Sequence, residues 1–432
     1  MLPLLLGCSS ITIEPPSTDT QPSAPEDSLS EETVSEDTAT PEDSSPPEDT
    51  GPEVIVGGGA GDAWVFSEDK VHQLDITISQ ENIDILNEQS GAYSSETVWV
   101  EVDATYDGVA LPSIGMRLKG RYGSWRSFED KPSIKLDVNR YVDGQDLEGI
   151  KSLTFNNMIS DCSFMREHMA YPVYEAMDVA VPRTAYVWMT VNGSDYGLYL
   201  NVESIDDVYL KRHYDNNDGN LYDADYVLWD DGSYNVLDFH ATLIPYFEQE
   251  EGDDIGGADL TEIVGLLDTL GGTSGFYTET ASQIDWDHHQ RMVAAEMWVG
   301  QNDGYSLNRN NYLVYFEPGA PMTLQPWDHD YAFLSASDWG FSWLAPTGRL
   351  TRLCLDDGAC RADQIARIEE VIAVADEIDF DGRFDETQDM IKDYIQDDRR
   401  RECSNSYVTW YQSVLEGWRD NRNSTLRAMW GL

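Results

Sequence analysis

The stretch QPWDHDYAF (325–333) limits the folds open to this chain more sharply than any other. It sets Asp328 and Asp330 one residue apart among Pro326, Trp327, Tyr331 and Phe333, at the end of a run that otherwise reads as a strand. A carboxylate buried without a partner is either expelled to water or forced to take up a proton. A fold that keeps two of them here must open a polar cavity at the strand end, and a metal ion is the natural occupant. Twenty-five residues before Asp328, Asp303 stands in QNDGYSLNRNNYLVYF (301–316), after a helix-patterned run and before another strand-like one. His329 points to the opposite strand face and reads as structural.

Charge narrows the partners. The 432 residues carry 80 acids against 27 bases, a formal charge of −53. Such a field repels nucleic acid and anionic membranes and attracts metal ions and basic proteins. No nucleic acid is expected, and any membrane contact is through a lipid anchor only. The first 62 residues hold fourteen Asp and Glu and no Lys or Arg. Within them Leu5-Leu6-Gly7-Cys8 fits a bacterial lipobox, which marks Cys8 as the lipidated residue and 1–8 as a signal remnant. Residues 9–62, rich in Ser, Thr, Pro, Glu and Asp, cannot bury enough apolar surface to fold and read as a disordered tether. Residues 63–432 form the head. These features describe an extracytoplasmic protein, lipid-anchored to the bacterial membrane or cell surface. Four cysteines remain in the head. Cys354 and Cys360 bracket a short turn-like loop, and one or two disulfides are expected with the pairing left open.

The head is patterned as α+β. VHQLDITISQENIDILNEQ (71–89) is a strand and then a helix opened by Ser79. Strands follow at 98–109, 114–125 and 131–139, and a helix containing Pro172 at 163–177. YVWMTVNGSDYGLYLNVE (186–203) is a hairpin turning at Asn192-Gly193. DNNDGNLYDADY (215–226) reads as a solvated turn, since its spacing misses the calcium-loop pattern. Helical patterning covers 286–300 and dominates from about 362 to the end. A β-rich half (63–203) thus precedes a helix-rich half (204–432).

Phosphoryl transfer needs a turn covering phosphates, a lysine on the following strand and a hinge between two lobes. It also needs an aspartate near the acceptor hydroxyl, and an asparagine and a second aspartate for metal. The chain offers these in order. Lys119 and Ser124 bound the turn KGRYGS, Lys135 lies on the next strand, and Glu203 ends the hairpin where a hinge would sit. Asp303 follows the 286–300 helix, Asn311 precedes YLVYF, and Asp328 and Asp330 close the series. Asn308 and Asn310 compete with Asn311 for the metal role.

The stretches MRLKGRYGSW with KPSIKLDVN, LTFNNMISDCSFMREHMAYPVYEAMDVAVPRTAYVWMTVNGSDYGLYLNVE, DGNLYD, QNDGYSLNRNNYLVYF and QPWDHDYAF resemble the CotH family of atypical secreted kinases, named for a spore-coat protein. Together they cover about residues 70–335. The resemblance implies a two-lobed, kinase-like fold that uses ATP with Mg or Mn and phosphorylates Ser or Thr of secreted or surface proteins. By that correspondence Asp303 is the catalytic aspartate, Asp328 the metal aspartate and Lys135 a phosphate contact. Glu167 is a candidate partner for Lys135. The chain departs from the family's pattern at KGRYGS, where KGNSS is usual, and at Asp223, where a lysine commonly follows GNLY. The alternatives are an inactive, CotH-like surface binding or adhesion module and, third, a metal-dependent hydrolase using the same acids.

Overall fold

Two kinds of periodicity, alternation in the first half and helical spacing in the second, build the two larger of three buried apolar clusters among the described residues. The computed structural model describes residues 61–88, 98–121, 123–228, 234–254 and 256–432. Cys8, the expected tether up to residue 60 and Tyr122 of the turn KGRYGS lie outside the described residues. A 3₁₀ turn, Asp62–Phe66, opens the described chain, and Asp62 pairs with Arg183 at 2.8 Å.

Seven strands close into a barrel: β1 (His72–Thr77), β2 (Val100–Tyr106), β3 (Val109–Lys119), β4 (Ser133–Asp137), β5 (Ser152–Asn156), β6 (Thr184–Val191) and β7 (Ser194–Glu203). Their order is β1-β2-β3-β4-β5-β7-β6, and β1 completes the ring by running parallel to β6. Alternation explains the inside. Val100, Val102, Ala104 and Tyr106 of β2 are buried, and the residues between them are exposed or half-buried. Helix α1 (Gln80–Asn87) starts as expected at Ser79, whose hydroxyl accepts the Asn82 N–H at 3.2 Å. Two features were not foreseen from sequence, β5 and the closure of the barrel. Both depend on partners distant along the chain.

Helix α2 (Arg166–Ala176) runs through Pro172 and leaves the barrel core for the second core. There Met169, Val173 and Tyr174 join Met292, Val293 and Trp298 of a later helix. Helix α3 (Asp207–His213) follows β7. The polar stretch at 215–226 is not a solvated turn. Asn220–Asp223 forms strand β8, with Leu221 and Tyr222 buried. Beyond the short pair β9 (Val227–Leu228) and β10 (Tyr234–Asn235), β11 (Glu248–Glu251), β12 (Tyr312–Phe316) and β13 (Thr323–Pro326) join β8 in a sheet of order β11-β8-β12-β13. Tertiary pairing overrides local polarity here because β8 gains a ladder on both edges.

Helices fill the remainder: α4 (Ala258–Leu270), α5 (Phe276–Thr280), α6 (Trp286–Val299), α7 (Arg349–Asp356), α8 (Gly358–Glu377), α9 (Phe380–Asp397), α10 (Asn405–Glu416) and α11 (Trp418–Trp430). The disulfide Cys354–Cys360 joins α7 to α8 across the expected loop, and Cys162–Cys403 ties the approach to α2 to the α9–α10 connection.

Candidate functional site

Antiparallel register brings the site together. Tyr312 of β12 lies opposite Pro326 of β13, so Asn311 and Asp328 leave the sheet at the same end. The Trp327 N–H donates to the Asn311 carbonyl at 3.1 Å, which locks that end. Both Asn311 (φ 52°) and Asp328 (φ 48°) adopt left-handed backbone conformations. Strain of this kind, on the order of 1 kcal/mol or more per residue, collects at functional sites.

Asp303 arrives from the loop after α6, which Gly300 ends in the left-handed region. Gln301 couples this loop to the neighbouring one: its amide donates to the Asp328 carbonyl at 2.8 Å and its side-chain oxygen accepts the Asp303 N–H at 3.3 Å. The Asp303 carboxylate accepts from the side-chain amides of Asn308 (2.5 Å), Asn311 (3.2 Å) and Asn310 (3.4 Å). Burial, and then the charge of Asp328, push Asp303 up to about 6 despite those donors.

A cavity of about 380 Å³ separates this acidic floor from the barrel. Lys119, Ser124, Lys135, Asp303, Asn311, Asp328 and Asp330 all line it. Arg117 and Lys135, paired across β3 and β4, and Lys119 at the end of β3 make its cationic wall. The Ser124 hydroxyl accepts the Arg121 N–H at 3.2 Å and so braces the turn KGRYGS.

Glu203 is the exception. Its carboxylate is buried between Arg183, at 2.6 Å, and Arg212, and it is absent from the cavity wall. The two guanidinium groups occupy the oxygens a nucleotide contact would need. The next two residues, Ser204 and Ile205, face the cavity in its place. Of the three candidate asparagines, Asn310 and Asn311 line the cavity, while Asn308 serves Asp303.

Glu167 joins the site through Lys119 rather than Lys135. The Lys119 ammonium donates to Asn156 Oδ1 at 2.5 Å, and Asn156 Nδ2 donates to Glu167 at 2.8 Å. Tyr171 donates to the other Glu167 oxygen at 2.8 Å. Burial and the Asp328 charge push Glu167 up to about 7. Burial lowers the Lys119 pKa, which Asp328 and Glu167 partly restore. The sequence reading missed Asn156. The one available signal was the Asn-Asn pair ending the apolar run SLTF, polar residues at a strand end like the acids. It also missed Arg166, whose guanidinium donates to the Asp330 carbonyl at 3.0 Å. His329 lies between the rings of Tyr171 and Tyr174, each at 4.9 Å, and burial lowers it to about 3.

Burial raises Asp330, and the charges of Asp328, Asp303 and Glu167 raise it further. Such a set of mutually repelling oxygens suits a hard divalent cation. Among the described residues no three His, Cys, Asp or Glu side chains already converge as a metal cage. Magnesium does not require one, because it keeps waters and substrate phosphates and takes only one or two protein carboxylates. The donor set fits that ion class.

A cationic barrel wall thus faces an acidic, amide-rich floor across one cavity. The family model described as CotH kinase protein matches residues 116–426, and the chain belongs to the CotH family. Inner spore coat protein H of Bacillus subtilis (strain 168) is 23% identical over 191 residues, 42% of this chain and 50% of that protein. The chain thus spans about half the length of that curated relative. Among solved structures, the HipA–HipB–operator DNA complex of Shewanella oneidensis MR-1 is similar at TM-score 0.32 and 10% identity, covering 83% of this chain and 74% of that one. A likeness that weak supports no conclusion.

Proposed function

We propose that the chain transfers the γ-phosphoryl group of ATP, with Mg or Mn, to Ser or Thr hydroxyls of secreted or cell-surface proteins. The observation that carries this reading is the convergence of Asp303, Asn311 and Asp328 with Lys119 and Lys135 on one cavity. The acceptor oxygen attacks the γ-phosphorus, the bond to the β-bridging oxygen breaks and ADP leaves. Asp303 takes the hydroxyl proton. Lys119 and Lys135 neutralise phosphate oxygens, and Lys119 is held in place by Asn156. Asp328, Asn311 and Asp330 would hold the divalent ion, which supplies charge neutralisation between triphosphate and carboxylates. The barrel serves as the N-lobe (63–203) and the helical half as the C-lobe (204–432), with a lipid on Cys8 and the tether holding the head outside the cytoplasm. Asp223, Asp225, Glu248 and Glu250 line the same cavity and favour a basic acceptor segment.

The test is label transfer from γ-labelled ATP by the purified chain to a basic Ser-containing protein, with Mg or Mn. The Asp303→Ala variant and a chelated control run beside it. Transfer should require the metal and fall by about 10³-fold in the variant. ATP bound without transfer would establish the inactive binding module. Tight ATP binding after chelation would overturn the assignment of Asp328 and Asn311.

A further inference from the structure

We propose that Glu296 is the positioning residue that sets Asp303, by gripping the backbone of the loop that carries it; this rests on the kinase reading of the Asp303 site. Glu296 lies on α6, one turn before its end, and is 2% exposed. One carboxylate oxygen accepts the Tyr305 N–H at 3.0 Å and the other the Ser306 N–H at 3.3 Å. The loop must lie close to make both bonds, and Gly304 permits it. A Cβ there would stand 2.5 Å from Glu296 Oε1.

The other buried acids of the head divide into two groups: Glu167, Asp238 and Asp303, like Glu296, are in no ion pair among the described residues, and the rest have cations. Asp398 has Lys131, Asp161 has Arg166, and Glu203 has two arginines. Among the described residues no ion pair includes Glu296, whose oxygens face backbone N–H groups and the Ser306 hydroxyl. A buried carboxyl group without a cation is expensive in place of an apolar side chain of similar size, so packing alone does not account for it. Its two bonds fix the loop to α6 two and three residues after Asp303, in addition to the Gln301 N–H that donates to the Glu296 carbonyl at 3.0 Å. The Tyr305 hydroxyl donates to Asp238 at 3.2 Å and accepts the Leu350 N–H at 2.8 Å, so the loop is held at a second point.

Glu296→Gln keeps the shape but sets an NH₂ group against one of the two N–H donors. Gly304→Ala intrudes on the same contact from the loop. Each should lower kcat for phosphoryl transfer about tenfold or more while the KM for Mg·ATP stays within about twofold, since Asp303 is displaced and the nucleotide site is not. The double variant should be no worse than the poorer single one, because both act through one contact. Unchanged kcat, or losses that multiply, would overturn the proposal. A second measurement needs no activity: amide hydrogen exchange of the full chain without nucleotide. The Tyr305 and Ser306 amides should exchange about a hundredfold faster in Glu296→Gln than in the parent. Equal protection would overturn the role of Glu296. Loss of protection in Glu296→Gln beside a parent that transfers no phosphate would uphold the grip and reject the kinase reading.

Discussion

Asp303, Glu167 and Glu296 are carboxyl groups held in a folded interior where burial opposes their charge. Glu296 isolates the consequence, since burial alone raises it from the ordinary 4.5 to about 7 while its hydrogen bonds oppose the rise. The folded chain therefore holds this proton to higher pH than the unfolded chain does. The stability it contributes is complete below about 4.5 and is lost as pH rises through about 7. Over that window the loss is on the order of 3 kcal/mol. Unfolding free energy followed between pH 4.5 and 7 should fall less steeply in Glu296→Gln than in the parent. Parallel curves would show that the proton is not held more tightly in the folded state.

At the scale of elements, the β6–β7 hairpin carries the joint between barrel and helical half. Its returning strand bulges where Gly197 takes φ +105°, and a Cβ there would overlap the Asp398 carboxylate. Asp398, just past α9, accepts from Lys131 at 2.6 Å, from the Leu198 N–H at 3.1 Å and from the Arg400 N–H at 2.9 Å. Lys131 opens the approach to β4, so a single buried pair links β7, the start of β4 and the end of α9. Gly197→Ala adds an unfavourable backbone conformation and breaks that pair, at a cost of about 3 kcal/mol or more. Chemical denaturation should show it, and a change below about 1 kcal/mol would mean that the joint relaxes freely.

For the whole molecule, the two disulfides differ in what they close. Cys162–Cys403 spans 241 residues and Cys354–Cys360 spans six. Loop entropy of the unfolded chain then assigns about 5 kcal/mol to the first and about 2 kcal/mol to the second. Replacing both cysteines of the long bridge by alanine should lower the denaturation midpoint clearly more than the same change at the short bridge. Equal losses would show that native-state packing outweighs chain entropy. The long bridge also anchors the loop at 157–164, whose Asn157, Met158, Ser160 and Asp161 line the cavity.

Local chemistry in the chain was enough for the strands on either side of Asn192-Gly193, for Ser79 as a cap, and for the placing of Asn311 and Asp328 at strand ends. It also marked Asp303, Lys119 and Lys135 as site candidates, because they follow one another in the order that phosphoryl transfer needs. Four things were decided only by tertiary contact: the closure of the barrel through β1 and β6, the burial of β8 under two neighbours, the withdrawal of Glu203 into an arginine pair, and the chain Lys119–Asn156–Glu167. Each joins residues whose sequence neighbourhoods say nothing of one another. Periodicity and capping are properties of a few adjacent residues, whereas register, desolvation and charge pairing exist only once distant segments share the same space.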